Sequence, residues 1–132
     1  MGAEPYTVVV PYDPDIQRAL DRARQQVFES GEFLGAERSP PSIEAVLEMV
    51  DEDGTGSILD IMEISDEPDL CTACPFPPDE LEEYFGTAQP NLAQVEASDE
   101  IWDAIDRGTA RYIILYTDGS PSHIFFAGYS LD

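Results

Sequence analysis

Residues 111–130, RYIILYTDGSPSHIFFAGYS, decide the fold of this chain. Two runs of aliphatic and aromatic residues, at 111–117 and 123–130, lie on either side of the turn-forming sequence DGSPS at 118–122. Apolar runs around such a turn are typical of a β-hairpin. The sequence therefore predicts an antiparallel pair of strands joined by a five-residue loop.

Two further strands are predicted upstream of this hairpin. Residues 6–10 form a short β-branched run between two prolines, and residues 58–64 are apolar on both faces. A strand that is covered on both faces belongs in the interior of a sheet, so we expect the second run to be a central strand. Residues 65–78 hold four prolines and two cysteines, which predicts an irregular loop.

Helix signals fill the segments between these strands. Apolar residues recur at 16, 20, 23 and 27, which predicts a helix that begins at Asp13 and Pro14 and ends at Gly31. Ser42 is placed to cap a second helix, and Gly86 is placed to end a short third helix over 79–85. One or two further helices are predicted over 90–97 and 98–107.

These elements together predict an α+β fold in a single compact acidic domain. A small, mostly antiparallel sheet of about four strands would be packed with three to five helices. At 132 residues, the chain is long enough to bury one hydrophobic core without a metal or a disulfide.

The charge distribution carries the main functional signal. The chain has 28 acidic residues, six arginines and no lysine, and its formal net charge is −22 at pH 7. Between Arg38 and Arg107, 68 residues include 19 acids and no basic residue. A field of this sign attracts cationic partners and repels nucleic acid and anionic membranes. The expected partner is therefore a basic protein.

The expected location is the cytoplasm. No run approaches the ~18 apolar residues that a membrane helix needs. The first residues, MGAEPYTVVV, lack the basic region of a signal peptide. The sequence gives no indication of an oligomeric state.

Eight carboxylates on the predicted helices after residue 78 form the candidate partner-binding site. Asp99, Asp103 and Asp106 recur at i, i+4 and i+7, so on one helix they would share a face. Their repulsion costs roughly a few tenths of a kcal/mol per pair, which either high salt screens or a cationic partner neutralises. The full set is Glu80, Glu82, Glu83, Glu96, Asp99, Glu100, Asp103 and Asp106.

Residues 51–58, DEDGTGSI, resemble the first eight positions of an EF-hand calcium loop. Position 12 of such a loop is a bidentate glutamate, and here it is Met62. The following residues have a strand pattern, where an EF-hand has a helix. The favoured interpretation is a turn made by Gly54 and Gly56, and no metal site is predicted.

Cys71 and Cys74 form a lone CxxC pair. A redox pair of this type opens a helix, whereas three prolines follow here, and the nearby acids Asp66, Glu67 and Asp69 would raise the pKa of a thiol. A zinc site would need a second pair of ligands. We interpret them as two loop cysteines, either free or joined in a disulfide.

No catalytic residue and no cofactor are predicted. His123, the only histidine, lies beside the predicted turn, and no nucleophile elbow precedes a helix. Carboxylates are so abundant that no pair stands out for acid–base chemistry.

The leading hypothesis is a non-enzymatic acidic protein that neutralises a basic partner, as an inhibitor, an antitoxin or a toxin-immunity protein. Its size, predicted architecture and charge resemble those of immunity proteins as a broad class, although no motif links it to one family of them. One alternative is a halophilic or housekeeping domain whose acidity serves only solvation. Another is a small metal- or thiol-dependent enzyme that uses residues 51–57 or the two cysteines.

Overall fold

The computed structural model describes residues 5–31, 33, 36–50 and 55–129, with a five-stranded sheet at the centre. The strands are β1 (Pro5–Pro11), β2 (Glu63–Ile64), β3 (Thr72–Pro75), β4 (Ala110–Thr117) and β5 (Ser120–Tyr129). Their order in the sheet is β1-β5-β4-β3-β2. β5 is antiparallel to both β1 and β4, whereas β3 is parallel to β4 and β2 is parallel to β3.

Helices cover both faces of this sheet. The helices are α1 (Ile16–Ser30), α2 (Ile43–Val50), α3 (Pro78–Phe85), α4 (Leu92–Glu96) and α5 (Glu100–Asp103). Two of them, α1 and α2, pack on one face, and α3, α4 and α5 pack on the other. No helix in this described part of the chain is long and apolar enough to cross a membrane. The predicted α+β class is confirmed, with five strands where about four were expected.

The hydrophobic core has two parts, one on each face of the sheet. Side chains alternate along β5, so Ile124 and Phe126 face α1, while Phe125 and Ala127 face the layer of α3, α4 and α5. The alternation explains why residues 112–116 and 124–127 of the hairpin are apolar or aromatic on both faces, because helices cover the sheet on two sides.

Local caps set the limits of α1. The Asp15 carboxylate accepts a hydrogen bond from the Arg18 amide and forms the N-cap, while Asp13 accepts one from the Asp15 amide at 2.9 Å. The helix therefore begins two residues after the predicted start. Gly31 ends it as predicted, with a φ of 76° that favours glycine.

The C-terminal hairpin is tighter than the sequence predicted. Asp118 and Gly119 alone form the turn, with φ values of 52° and 80°. Positive φ at both central residues is the mark of a type I′ turn. The predicted five-residue loop is wrong because β5 already begins at Ser120, and a bulge opposite Leu115 and Tyr116 absorbs the irregular register.

The predicted central strand over 58–64 is also wrong. Ile58–Asp60 is a 3₁₀ turn, and only Glu63–Ile64 forms a strand, at the outer edge of the sheet. Ile58 and Leu59 are fully buried in the core beside α1. A buried turn and a buried strand give the same short apolar run, so periodicity could not separate them.

A strand, β3, forms within the predicted irregular loop at 65–78. It pairs in parallel with β4 at residues 110–112. Pro75 is its last residue, and proline cannot donate to a strand ladder. The parallel half of the sheet is therefore short.

Candidate binding site

The layer formed by α3, α4 and α5 carries the predicted acidic residues. Residues 78–106 contain nine acids and no basic residue. Leu81, Val95 and Ile101 attach the three helices to the core on this face of the sheet. The carboxylates of the predicted site, except that of the half-buried Glu80, are exposed on the outside of the layer.

A cleft of about 490 Å³ opens between α3 and the segment that joins α4 to α5. Its lining combines two aromatic rings with two carboxylates and a few small or polar residues. The lining residues are Tyr84, Phe85, Gln94, Ala97, Ser98, Asp99 and Glu100.

Carboxylates from two helices, α3 and α5, raise the pKa of one group in this cleft, the Tyr84 hydroxyl. Its pKa is raised above the ordinary value, first by burial and then by the negative charges of Glu80, Glu83 and Glu100, while Arg111 opposes the shift. The hydroxyl therefore stays neutral and can donate a hydrogen bond at physiological pH.

The Tyr84 ring is held by its aromatic neighbours. It packs edge-to-face on Phe76, with ring centroids 5.7 Å apart, and on Phe85, with centroids 6.2 Å apart. Such contacts fix the orientation of the ring before any partner arrives.

One buried cation, Arg111 of β4, lies beneath this layer. Its guanidinium group is 4.1 Å from the centroid of the Phe76 ring and donates to the carbonyl oxygens of Pro75 (3.0 Å) and Ala104 (3.3 Å). It also lies 3.9 Å from the Glu80 carboxylate. Glu80 therefore has an internal counter-ion. Within the described residues, the other seven predicted carboxylates form no ion pair.

The structure brings together half of the predicted set. Asp99 and Glu100 line the cleft, and Glu80 and Glu83 act on its Tyr84 hydroxyl. The remaining four lie on the same layer outside the cleft lining. These four are Glu82, Glu96, Asp103 and Asp106.

The predicted row of Asp99, Asp103 and Asp106 on one helix is wrong. Helix α5 covers only Glu100–Asp103, so Asp99 occupies its N-cap position and Asp106 lies in the following turn. The chain leaves the helix because the Gly108 amide donates to a carbonyl of β5 and leads directly into β4. Sheet pairing has overridden the helical period.

A buried polar cluster around Asp60 was not predicted. One carboxylate oxygen accepts a hydrogen bond from the Thr55 amide at 2.7 Å, and the other has no partner among the described residues. The Tyr6 hydroxyl and Arg24 Nε are likewise buried without a partner there. Burial raises the pKa of Asp60, opposed by the hydrogen bonds from Thr55 and Gly56 and by Arg24. The apolar pattern at 58–64 gave no signal of this cluster.

The structure describes only one of the two motifs with metal or redox chemistry in full. Residues 51–54 of the EF-hand-like loop lie outside the described residues. Cys71 and Cys74 are free thiols, and burial raises the pKa of both. Asp60 and Asp69 add to the shift at Cys71, which disfavours a thiolate. The described residues contain no group of three potential metal ligands from His, Cys, Asp or Glu.

Comparison with known proteins finds no matching family, no matching curated protein and no matching solved structure.

Proposed function

We propose that this protein is an acidic binding protein whose α3–α5 layer binds a basic protein. One observation carries the proposal. Asp99 and Glu100 line a cleft with aromatic walls, Glu83 lies beside Tyr84 on α3, and none of these three carboxylates has a counter-ion within the described residues. A cationic surface that docked there would supply the missing charge.

The chemistry of the layer fits recognition of a protein. Uncompensated surface charge speeds the encounter with an oppositely charged partner, and aromatic side chains supply contact area at the centre of an interface. The same negative field disfavours nucleic acid as a ligand.

We further propose that the partner is a toxin or a nuclease, and that the protein acts as an inhibitor, an antitoxin or an immunity protein. The active cleft of a nuclease is basic because it holds phosphates. An acidic layer that covered this cleft would block the access of nucleic acid. The proposed location is the cytoplasm, which the free thiols of Cys71 and Cys74 support.

The test reverses charge inside and outside the site. The site variant is Glu83→Lys, Asp99→Lys and Glu100→Lys, and it is used with the unaltered protein to capture partners from a lysate of the source organism at low salt. The matched control reverses three exposed acids in and after β2, so that the net charge changes equally. These control residues are Glu63, Asp66 and Glu67.

We expect one basic protein to be captured by the unaltered protein and by the control, and to be released by salt. Its association rate with the site variant should fall at least about ten-fold at low salt, because steering contributes roughly 10–10³-fold to such rates. Equal slowing by the site variant and the control would show that only the net charge matters, and would contradict a site on this layer. If acidity serves only solvation, no partner is captured and the melting temperature rises steeply up to molar KCl.

A further inference from the structure

We propose that the cleft between α3 and α5 accepts an arginine side chain of the basic partner. The inference rests on the proposed function and names the chemical group that the site recognises. It is carried by the combination of aromatic rings, free carboxylates and open volume in the cleft.

The protein already holds one arginine against an aromatic ring and beside a carboxylate, with two backbone carbonyl oxygens as its hydrogen-bond acceptors. The guanidinium group of Arg111 lies over the ring of Phe76, with its centroid 4.1 Å away, and beside the Glu80 carboxylate at 3.9 Å. Tyr84, which lines the cleft, packs edge-to-face on the same Phe76 ring. The Tyr84 and Phe76 rings therefore connect the cleft with the internal arginine site. An aromatic ring and a carboxylate are the two groups that guanidinium prefers.

The cleft offers the same groups at the surface. Tyr84 and Phe85 contribute the rings, and Asp99 and Glu100 contribute the carboxylates. The cleft volume of about 490 Å³ lies within the range of pockets that hold small molecules, so one side chain fits easily.

The carboxylates of the cleft are available to a ligand. Asp99 occupies the N-cap position of α5, yet its side chain makes no capping hydrogen bond. Gln94 is different, because its side-chain oxygen accepts a hydrogen bond from the Asn91 amide at 2.9 Å in a capping box. The hydrogen-bond acceptors of the cleft that remain available to a cation are therefore the carboxylates of Asp99 and Glu100.

Arginine fits such a cleft better than lysine does. The planar guanidinium group stacks on an aromatic ring and binds a carboxylate through two parallel N–H groups. It is also more weakly hydrated than an ammonium group, so it loses less hydration free energy when it leaves water. The binding free energy of a lysine would come mainly from the negative field of the carboxylates, which does not depend on the aromatic rings.

The test titrates the full chain with two peptides that differ only in carrying arginine or lysine at three positions separated by glycine. Binding is followed by the ¹H–¹⁵N amide shifts of Ser98, Asp99 and Glu100. We expect the arginine peptide to bind about three-fold more tightly than the lysine peptide, the size of one exposed cation–π contact. Tyr84→Phe should keep this preference, and Tyr84→Leu should abolish it.

A second variant keeps the test decisive if Tyr84→Leu does not fold. Asp99→Asn with Glu100→Gln changes exposed residues only, and it should weaken the arginine peptide at least about five-fold. The matched control, Asp66→Asn with Glu67→Gln, should leave both affinities within about two-fold, since these acids lie outside the cleft.

The possible failures of the two proposals are distinguishable. Equal affinity for both peptides, or shifts that lie outside the cleft, would overturn the arginine site and leave the acidic binding layer standing. An arginine preference at the cleft together with unchanged capture of the natural partner by the Lys variant would support the arginine site and overturn the proposed function.

Discussion

Helix α1, on one face of the sheet, and the α3–α5 layer, on the other, differ in how their acidic residues are balanced by cations. Residues 13–30, which include α1, contain four acids and three arginines, whereas residues 78–106 contain nine acids and no basic residue. On the first layer, Asp13 lies 3.7 Å from the guanidinium group of Arg18 and 4.0 Å from that of Arg22. Arg24 turns inward and donates to the Leu59 carbonyl at 2.9 Å.

This difference shows which helices carry acidic residues without a counter-ion inside the protein. The α1 segment balances its charges locally, as a solvated helix face does. The α3–α5 layer receives one cation, Arg111, which comes from the sheet beneath and pairs with Glu80. The α1 segment is one part of its layer, because α2 adds the exposed Glu44 and Glu48 without a basic residue. The contrast between α1 and the α3–α5 layer supports the proposed role of the α3–α5 layer in binding.

The largest expected effect is the loss of the buried cation. Arg111→Met should lower the free energy of unfolding by about 2–3 kcal/mol, because two carbonyl groups lose their donor and Glu80 loses its counter-ion. Arg22→Met on the α1 layer should cost less than about 0.5 kcal/mol, because Arg22 is exposed and Asp13 keeps Arg18. Urea denaturation measures both. Equal losses would remove the distinction between the layers.

An intermediate effect is expected at Asp60, on the α1 side of the sheet. Burial raises its pKa, so the folded state binds the proton more tightly than the unfolded state does. The charged form therefore costs stability at neutral pH, and this cost disappears as the pH falls through the raised pKa toward the ordinary value near 4.

Asp60→Asn should accordingly be more stable than the unaltered protein at pH 7, by on the order of 1 kcal/mol. The gap should narrow as the pH is lowered to about 4, and urea denaturation across this range measures it. Asp66→Asn, at an exposed position, is the control for the general loss of charge. A gap that widens at low pH would contradict the assigned role of burial.

Two effects of about 1 kcal/mol or less should differ in sign between the two layers. Asp15→Ala should destabilise the protein by about 1 kcal/mol, because it removes the N-cap of α1 and the ion pair with Arg18. Asp103→Ala should be neutral or stabilising by a few tenths of a kcal/mol, since it relieves repulsion at an exposed site without a cap. Thermal unfolding at low salt measures both. A comparable loss at Asp103 would mean that its charge is balanced internally.

Elements with local signals could be predicted from the sequence. The hairpin, α1 and α3 each carry an apolar pattern with a turn or a cap at the end, such as Gly31 and Gly86. The segments that failed depend on distant contacts. Residues 58–64 fold as a turn because α1 lies over them, and β3 exists because β4 is available to pair with it. Residues near 106 leave the helix for the same sheet.

The candidate site was predictable only in part. Charge counting identified the acidic helices, but it gave no reason to single out Tyr84 or Phe85, whose role depends on the cleft between α3 and α5. Arg111 could have been suspected, because it lies at i−2 and i−4 from the buried Ile113 and Leu115 of the same strand. The Asp60 cluster assembles from three separate segments, which no local pattern reveals.

The two edge strands of the sheet influence how the protein should aggregate when its net charge is close to zero. One edge is β1, with a proline at each end, and the other is β2, only two residues long and carrying an exposed glutamate. Short or proline-bounded edges are poor templates for pairing with another chain. Near the sequence pI of about 4.1, where charge repulsion vanishes, precipitation should therefore be amorphous and reversible on neutralisation, and growth of ordered fibrils should be disfavoured.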